Sequence, residues 1–155
     1  MEPVQVEGIE ALRDLIGREL GPTDWVEITQ EDVDKFAEAS RDHQWIHVDP
    51  ERAAKESPYR TTVAHGNLTL SLVDWFRPQL IRNSGVKMGI NYGFNKVRFP
   101  AAVPTGSRIR ARAEVTSVEE LGDGWWHVVT KFVIEGDQSD KPVCVAESVG
   151  RALIS

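Results

Sequence analysis

The segment NLTLSLVDWFRPQL, residues 67–80, restricts the fold of this 155-residue chain more than any other feature. In a helical arrangement, its apolar side chains point in nearly every direction instead of forming one stripe. A helix that is apolar all round is a buried helix, because a surface helix keeps a polar face toward water. The sequence therefore predicts a helix at the core of the molecule, with the rest of the chain arranged around it.

The second half of the chain predicts the layer that covers this helix. Between Arg108 and Val115, apolar and charged residues alternate, which is typical of a strand with one face toward water. Residues 124–136 and 141–154 show a similar strand pattern, and residues 88–99 form a further predicted strand before them. The segments LGDG and EGDQSDKP between the strands contain the glycine and aspartate that hairpin turns favour. We therefore expect an α+β fold in which four long antiparallel strands form a curved sheet around the buried helix.

The first half of the chain is predicted to be mainly helical. A helix over residues 8–20 is expected to end at Gly21-Pro22. A second helix follows a loose capping box of Thr29 and Asp32, and a third begins at Asp49-Pro50. Since neither repeats nor linker-like tracts interrupt the chain, we expect one domain over residues 1–155, with residues 1–23 as a helical extension.

Composition excludes several classes of function. The net charge is -6 and the basic residues are scattered, whereas a nucleic-acid-binding protein normally shows a basic stripe. The sequence contains no apolar run of the length that spans a membrane and no pattern of a signal peptide at its start. The single cysteine, Cys144, fits a reducing compartment, so a cytoplasmic protein is expected.

The stretch SRDHQWIHVDPE, residues 40–51, carries the densest group of reactive side chains. His43 and His47 are four residues apart, as in zinc-binding H-E-x-x-H helices, but Gln44 occupies the position of the general base and no third ligand is evident. A second interpretation is a helix end with solvated polar groups. A third is a partly buried His47, among Trp45, Ile46 and Val48, which needs a partner that Asp42 can provide.

The stretch VAHGN, residues 63–67, leads into the predicted central helix. The first N–H groups of a helix lack internal partners, and glycine allows a ligand to approach the backbone closely. The N–H of Gly66 is thus suited to polarise a carbonyl oxygen, although Gly66 could equally serve only the turn into the helix. His65 is interpreted as a structural residue that holds the loop before the helix.

These stretches together resemble the MaoC-like, or hydratase 2, family of (R)-specific enoyl-CoA hydratases. The resemblance runs from about residue 24 to the C-terminus and is carried by FAEASRDHQWIHVDPERAAKESPYRTTVAHGNLTLSL and INYGFNKVRFPAAVPTGSRI. The wording DHQWIHVDPERA is similar to the nodulation-protein-N-like branch of that family. Arg41 and Asn67 depart from the family pattern, and Asn67 stands where a bulky apolar residue is expected in the acyl pocket.

The resemblance implies a hot-dog fold, in which an antiparallel sheet wraps a long central helix, and a homodimer. It assigns catalysis to Asp42 and His47 and contact with the thioester carbonyl to the N–H of Gly66. The implied reaction is reversible addition of water to trans-2-enoyl-CoA thioesters in fatty-acid metabolism, giving (R)-3-hydroxyacyl thioesters. It implies neither a metal nor another cofactor, since the CoA thioester is the substrate.

Alternative functions remain open at this point. The same residues would serve a 3-hydroxyacyl-carrier-protein dehydratase, whose thioester is attached to a protein. A hot-dog thioesterase normally uses a carboxylate on or near the central helix, and Asp74 is the only acid there. A non-catalytic acyl-thioester-binding subunit would have no need of Asp42, His47 and Gly66 together. Cys144 and His127 are interpreted as core and sheet residues.

Overall fold

The structure is a computed structural model that describes residues 2–154. Met1 and Ser155, the ends of the predicted domain, lie outside the described residues. The helices are α1 (Gly8–Arg13), α2 (Gln30–Ser40), α3 (Trp45–Val48), α4 (Pro50–Glu56), α5 (Gly66–Ser71) and α6 (Val73–Leu80). The strands are β1 (Val4–Val6), β2 (Val26–Glu27), β3 (Ile81–Asn83), β4 (Val86–Arg98), β5 (Arg108–Gly122), β6 (Trp125–Gly136) and β7 (Cys144–Ile154).

The main sheet has five strands in the order β2-β5-β6-β7-β4, and every neighbouring pair is antiparallel. The predicted tight turn joins β5 to β6 at Gly122, Asp123 and Gly124, and all three have positive φ. β4 lies at one end of the sheet, so one of its edges has no neighbouring strand within residues 2–154. A separate parallel pair, β1 and β3, ties the N-terminal segment to the end of α6.

The helices α5 and α6 lie against the concave face of this sheet and form the core of the molecule. Phe76 and Leu80 of α6 have no exposed surface, and neither do Ile109 of β5 and Ile134 of β6. The alternation predicted for β5 is confirmed, because its apolar residues point inward toward this cluster. The predicted α+β hot-dog arrangement, a sheet wrapped around a central helix, is thereby confirmed.

The central helix differs from its prediction in two respects. It is divided at Leu72 into α5 and α6, where the Leu72 N–H donates to the Thr69 carbonyl three residues back. The Ser71 hydroxyl donates to the Leu68 carbonyl at 2.6 Å, a side-chain bond that competes with the helical backbone bonds and tightens this turn. The helix is also not buried on all sides, since Trp75 is 49% exposed.

The N-terminal helix is much shorter than predicted: α1 ends at Arg13, so the expectation of a helix over residues 8–20 is wrong. After Arg13 the chain continues in tighter turns, with the Leu15 N–H bonded to the Leu12 carbonyl, and Gly17, with φ +87°, then turns it out of the helical path. Leu20 instead forms an antiparallel bridge with Ala113 on β5. Leu15 and Leu20 are buried as their apolar pattern suggests, but they reach the core from turns and a bridge rather than from one helix face.

The helix starts predicted for α2 and α4 are confirmed. Thr29 and Asp32 form a complete capping box, and the Asp49 side chain accepts from the Arg52 N–H at the start of α4. These caps define both ends of the segment that carries Asp42 and His47. Among residues 2–154, no helix combines the length and apolar character needed to cross a membrane.

One charged cluster joins β5 to β6 on the outer face of the sheet. Glu135 accepts hydrogen bonds from Arg110 at 2.8 Å and from Arg112 at 2.7 Å. Burial alone would raise the pKa of the Glu135 carboxyl, but the hydrogen bonds from both arginines outweigh it and hold the pKa below its ordinary value of 4.5. The cluster therefore stabilises the folded state only while Glu135 is ionised.

We predict that Glu135→Gln lowers the free energy of unfolding by about 1 kcal/mol at pH 7. Because the folded pKa is lowered, the contribution is present above the ordinary pKa and is lost as the pH falls through the folded pKa. Denaturant unfolding at pH 7 and near pH 3 measures this, with Glu119→Gln, an exposed acid of β5 without an ion pair within residues 2–154, as control. An equal effect of Glu135→Gln at both pH values would contradict the prediction.

Candidate active site

Asp42 lies in a short non-helical link that follows α2. Arg41 ends the helix in the left-handed conformation, with φ 67°, and so turns the chain out of the helical path. The Asp42 N–H donates to the Ser40 hydroxyl at 3.3 Å, and its carboxylate accepts from the Gln44 N–H at 3.2 Å. The Asp42 side chain is exposed, and Arg41 forms no ion pair with it in the described part of the chain.

His47 lies in α3 and is buried, as its apolar neighbours predict. Its Nδ1 is 2.6 Å from the main-chain carbonyl oxygen of Val63. A carbonyl oxygen only accepts hydrogen bonds, so Nδ1 must carry the proton and donate it. In the neutral imidazole, Nε2 therefore holds the free lone pair and can act as a proton acceptor.

Gln30, the first residue of α2, connects the segments around His47. Its Nε2 donates to the His47 carbonyl at 2.8 Å, and its Oε1 accepts from the Thr62 hydroxyl at 2.5 Å. The Val63 N–H donates to the Ile46 carbonyl at 3.0 Å, so Val63 bonds the main chain of α3 as well as the His47 ring. α3 is thus held on one side by α2 and on the other by the chain that leads to α5.

His65 is the site residue whose place the sequence did not reveal. It is only 3% exposed, and its Nε2 lies 3.0 Å from the main-chain carbonyl oxygen of Asp42. Its ring stacks on that of His47, with centroids 3.8 Å apart and 22° between the planes. One ligand atom each from Asp42, His47 and His65 lies within 4.8 Å of the others. His65 therefore contacts both residues to which the sequence assigns catalysis.

His43 does not take part in this cluster. Its side chain is exposed, and α3 begins only at Trp45, so His43 and His47 do not share a helix face. Residues 43 and 47 therefore lack the shared helix face on which a zinc-binding H-E-x-x-H motif depends. The two histidines that do meet are His47 and His65, which are 18 residues apart in the sequence.

Gly66 is the first residue of α5, directly after His65. Residues 2–154 supply no hydrogen-bond partner for its N–H. It lines a cavity of about 480 Å³ together with Tyr59 and Phe99, whereas Asp42 and His47 are not among the lining residues. A Cβ at position 66 would lie 3.0 Å from the Phe99 ring, so the absence of a side chain allows this ring to cover the backbone.

The remaining candidates lie away from this cluster. Asp74 accepts from the Asn91 side chain at 2.9 Å, pairs with Arg77 at 3.5 Å and lines a different cavity of about 440 Å³. Cys144 is fully buried, and burial raises the pKa of its thiol to about 11, so it is protonated at neutral pH. Asn67 is exposed, which explains how a polar residue is tolerated there.

Comparison with known proteins identifies relatives of this chain. Residues 12–136 match the family model described as MaoC like domain. The chain is 51% identical to 3-hydroxyacyl-thioester dehydratase Z of Mycobacterium tuberculosis, over 94% of this chain and 95% of that one. It is 40% identical to nodulation protein N of Rhizobium leguminosarum, over 84% of this chain and 82% of that protein.

A solved structure supports the assignment of the fold. The R-hydratase PhaJ1 of Pseudomonas aeruginosa superposes with a TM-score of 0.68 at 23% identity, covering 90% of this chain and 83% of that one. The sheet and central helix described above therefore have a counterpart of known structure.

We predict that Gln30→Leu lowers the free energy of unfolding by about 1–2 kcal/mol, because it leaves the His47 carbonyl and the Thr62 hydroxyl without their shared partner. Thermal or denaturant unfolding measures the change. Gln79→Leu is the matched control, since Gln79 makes a single exposed bond to the Trp75 carbonyl, and its effect is expected below about 0.5 kcal/mol. Equal effects of the two substitutions would show that Gln30 does not hold the site.

Proposed function

This chain belongs to the MaoC-like dehydratase family, and we propose that it catalyses the reversible, (R)-specific addition of water to trans-2-enoyl-CoA thioesters. The observation that carries the proposal is the pairing of an exposed carboxylate, Asp42, with a buried imidazole, His47: a carboxylate oxygen and a ring nitrogen lie within 4.8 Å of each other. The 51% identity to a 3-hydroxyacyl-thioester dehydratase supports a thioester as the substrate.

The separation of Asp42 and His47 suits a single shared water molecule. A water that donates to two acceptors through bonds of ordinary length holds them about 4.5 Å apart. The Val63 carbonyl keeps the Nδ1 proton of His47 in place, so Nε2 faces the reaction as the acceptor. His47 then removes a proton as the water oxygen attacks C3, while the Asp42 carboxylate orients the water and stabilises the imidazolium.

The electrons of the C2–C3 double bond move onto the thioester carbonyl as the water attacks. The N–H of Gly66 is the donor we assign to the resulting enolate oxygen, since it has no partner in the described part of the chain and follows His65 directly. His47 returns its proton to C2 on the face that the water attacked, which makes the addition syn and leaves the enzyme unchanged. Loss of such a donor typically raises the barrier by about 3 kcal/mol.

This chemistry requires neither a metal nor a redox cofactor, because only a water molecule and a proton are exchanged. The histidine geometry also disfavours a metal held by both rings. The rings of His47 and His65 are nearly parallel at 3.8 Å, so their in-plane lone pairs do not converge on one point. One nitrogen of each ring is already within hydrogen-bond distance of a main-chain carbonyl.

Asp74 argues against the thioesterase alternative. Its carboxylate is occupied by Asn91 and Arg77. The joint presence of Asp42, His47 and an unpaired Gly66 N–H likewise favours an enzyme over a subunit that only binds acyl thioesters.

We predict that Asp42→Asn and His47→Gln each lower kcat for hydration of crotonyl-CoA by about 100-fold to 10,000-fold. Loss of the conjugated thioester measures the rate, and a longer trans-2-enoyl-CoA and an enoyl-carrier-protein are assayed in parallel. His43→Gln is the control from the same segment, because its side chain is exposed and outside the cluster. Circular dichroism verifies that the variants are folded.

Four outcomes separate the alternatives. Hydration by the wild type that is lost in both variants supports the proposal, and activity only on the protein-bound substrate identifies a carrier-protein dehydratase. Release of free thiol without hydration contradicts the proposal in favour of a thioesterase. Full activity of both variants would remove Asp42 and His47 from the mechanism.

We further propose that the chain forms a homodimer through β4. Three apolar residues alternate along the outward face of this strand and are 46–63% exposed: Met88, Ile90 and Tyr92. A long, apolar strand at the open edge of a sheet promotes association unless another surface covers it. A second copy of the chain offers the same edge and the same stripe, which suits a two-fold symmetric contact.

We predict that Ile90→Glu converts the dimer to a monomer, since a charge placed in a buried interface leaves an unpaired carboxylate. Light scattering coupled to gel filtration measures the mass. Leu121→Glu is the matched control: Leu121 is 47% exposed against 46% for Ile90, but it lies on β5 outside the stripe. A monomeric wild type, or equal loss of the dimer in both variants, would contradict the proposed interface.

A further inference from the structure

His65 contacts both Asp42 and His47, and we propose that it is a positioning residue for the reaction proposed above, on which this inference rests. It does not act as acid or base in this scheme. One nitrogen of its imidazole bonds the main-chain carbonyl of Asp42, and the face of its ring packs against the ring of His47. In this proposal, the two contacts together fix the Asp42 segment relative to the imidazole of His47.

The bond to Asp42 anchors an otherwise exposed link. Every side chain of residues 41–44 is exposed, and the segment lies between α2 and α3 without regular structure. The Nε2 of His65, a buried group, donates to the Asp42 carbonyl oxygen at 3.0 Å and ties this link to the residue preceding α5. Since Gly66 follows His65 directly, the same tie sets the position of Asp42 relative to the Gly66 N–H.

The ring contact completes the positioning of His47. The hydrogen bond from Nδ1 to the Val63 carbonyl fixes one edge of the His47 imidazole. The His65 ring, stacked at 3.8 Å, packs against the face of that imidazole and limits its rotation out of plane. Phe36 packs against His65 with ring centroids 4.9 Å apart, which holds His65 itself in place.

The second nitrogen of His65 distinguishes positioning from a purely structural role. Its Nδ1 is buried and has no hydrogen-bond partner among the described residues. An unpaired buried acceptor destabilises the fold, so a phenylalanine would fill this place with little loss of stability. A histidine here is therefore explained by its donor to Asp42 rather than by the folding of the chain.

The test compares His65→Phe, which keeps the ring and loses the donor, with His65→Gln, which keeps a donor and loses the flat ring. We expect each to lower kcat about 10-fold to 100-fold on the enoyl thioester and His65→Ala to lower it further, since a displacement of about 1 Å in a catalytic group has effects of this size. KM should change less than about 3-fold, because His65 does not touch the substrate. The melting temperature of His65→Phe should stay within about 4 °C of the wild type.

The control is His43→Gln, which should leave kcat unchanged. An unaltered kcat in His65→Phe and His65→Gln would overturn the proposal. A fall in kcat that is matched in every variant by loss of folded protein would also overturn it, in favour of a structural role.

A second readout needs no substrate and so separates this inference from the proposed function. The chain has four histidines, whose ring nitrogens can be resolved by NMR after isotope labelling. In the wild type, His47 should be the Nδ1-protonated tautomer with sharp ring signals, and in His65→Ala these signals should shift or broaden. Unchanged His47 signals in His65→Ala would contradict the positioning role, even if the wild type hydrates the substrate. Shifted His47 signals in a protein that shows no hydration would support the positioning role and contradict only the proposed reaction.

Discussion

The burial of α5 and α6 in the concave face of the sheet is the constraint on which the rest of the structure depends. Phe76 and Leu80 are completely enclosed, and full burial of one such side chain contributes about 1.5–3 kcal/mol. Because the helix is held there, its first residue, Gly66, has a defined place at the surface of the core. Val63 and His65, in the segment that leads into it, then provide two contacts to the His47 ring. The candidate active site is therefore built on the end of the most firmly packed element.

The fold could be predicted largely from periodicity. The alternation along β5 and the all-round apolar character of residues 67–80 leave few arrangements other than a sheet around a helix. The extent of the N-terminal helix could not be predicted, because Leu15 and Leu20 satisfy a helical pattern while reaching the core from turns. The exposure of Trp75 was missed for a related reason: an apolar residue in a buried helix can still face outward, and its neighbours across space are not visible in the sequence.

The candidate site was predictable in part. The resemblance identifies Asp42, His47 and Gly66, and the structure places a carboxylate oxygen of Asp42 and a ring nitrogen of His47 within 4.8 Å of each other. Their catalytic roles remain predictions. His65 was given only a loop-holding role, because its contact with Asp42 joins residues 23 positions apart and depends on the turn at Arg41. The sequence nevertheless contains a signal for the burial of His65. A histidine between Val63, Ala64 and the start of a buried helix must itself be buried and must find a partner.

The central claim is that Asp42 and His47 add one water across C2 and C3 of an enoyl thioester. Hydration of crotonyl-CoA in D2O, followed by stereochemical analysis of the product, tests it most directly. The proposed reaction gives 3-hydroxybutyryl-CoA with the (R) configuration at C3, one deuterium at C2 on the face to which the oxygen added, and an intact thioester. An (S) product, an anti relation of deuterium and oxygen, or hydrolysis of the thioester with C2 and C3 unchanged would contradict it.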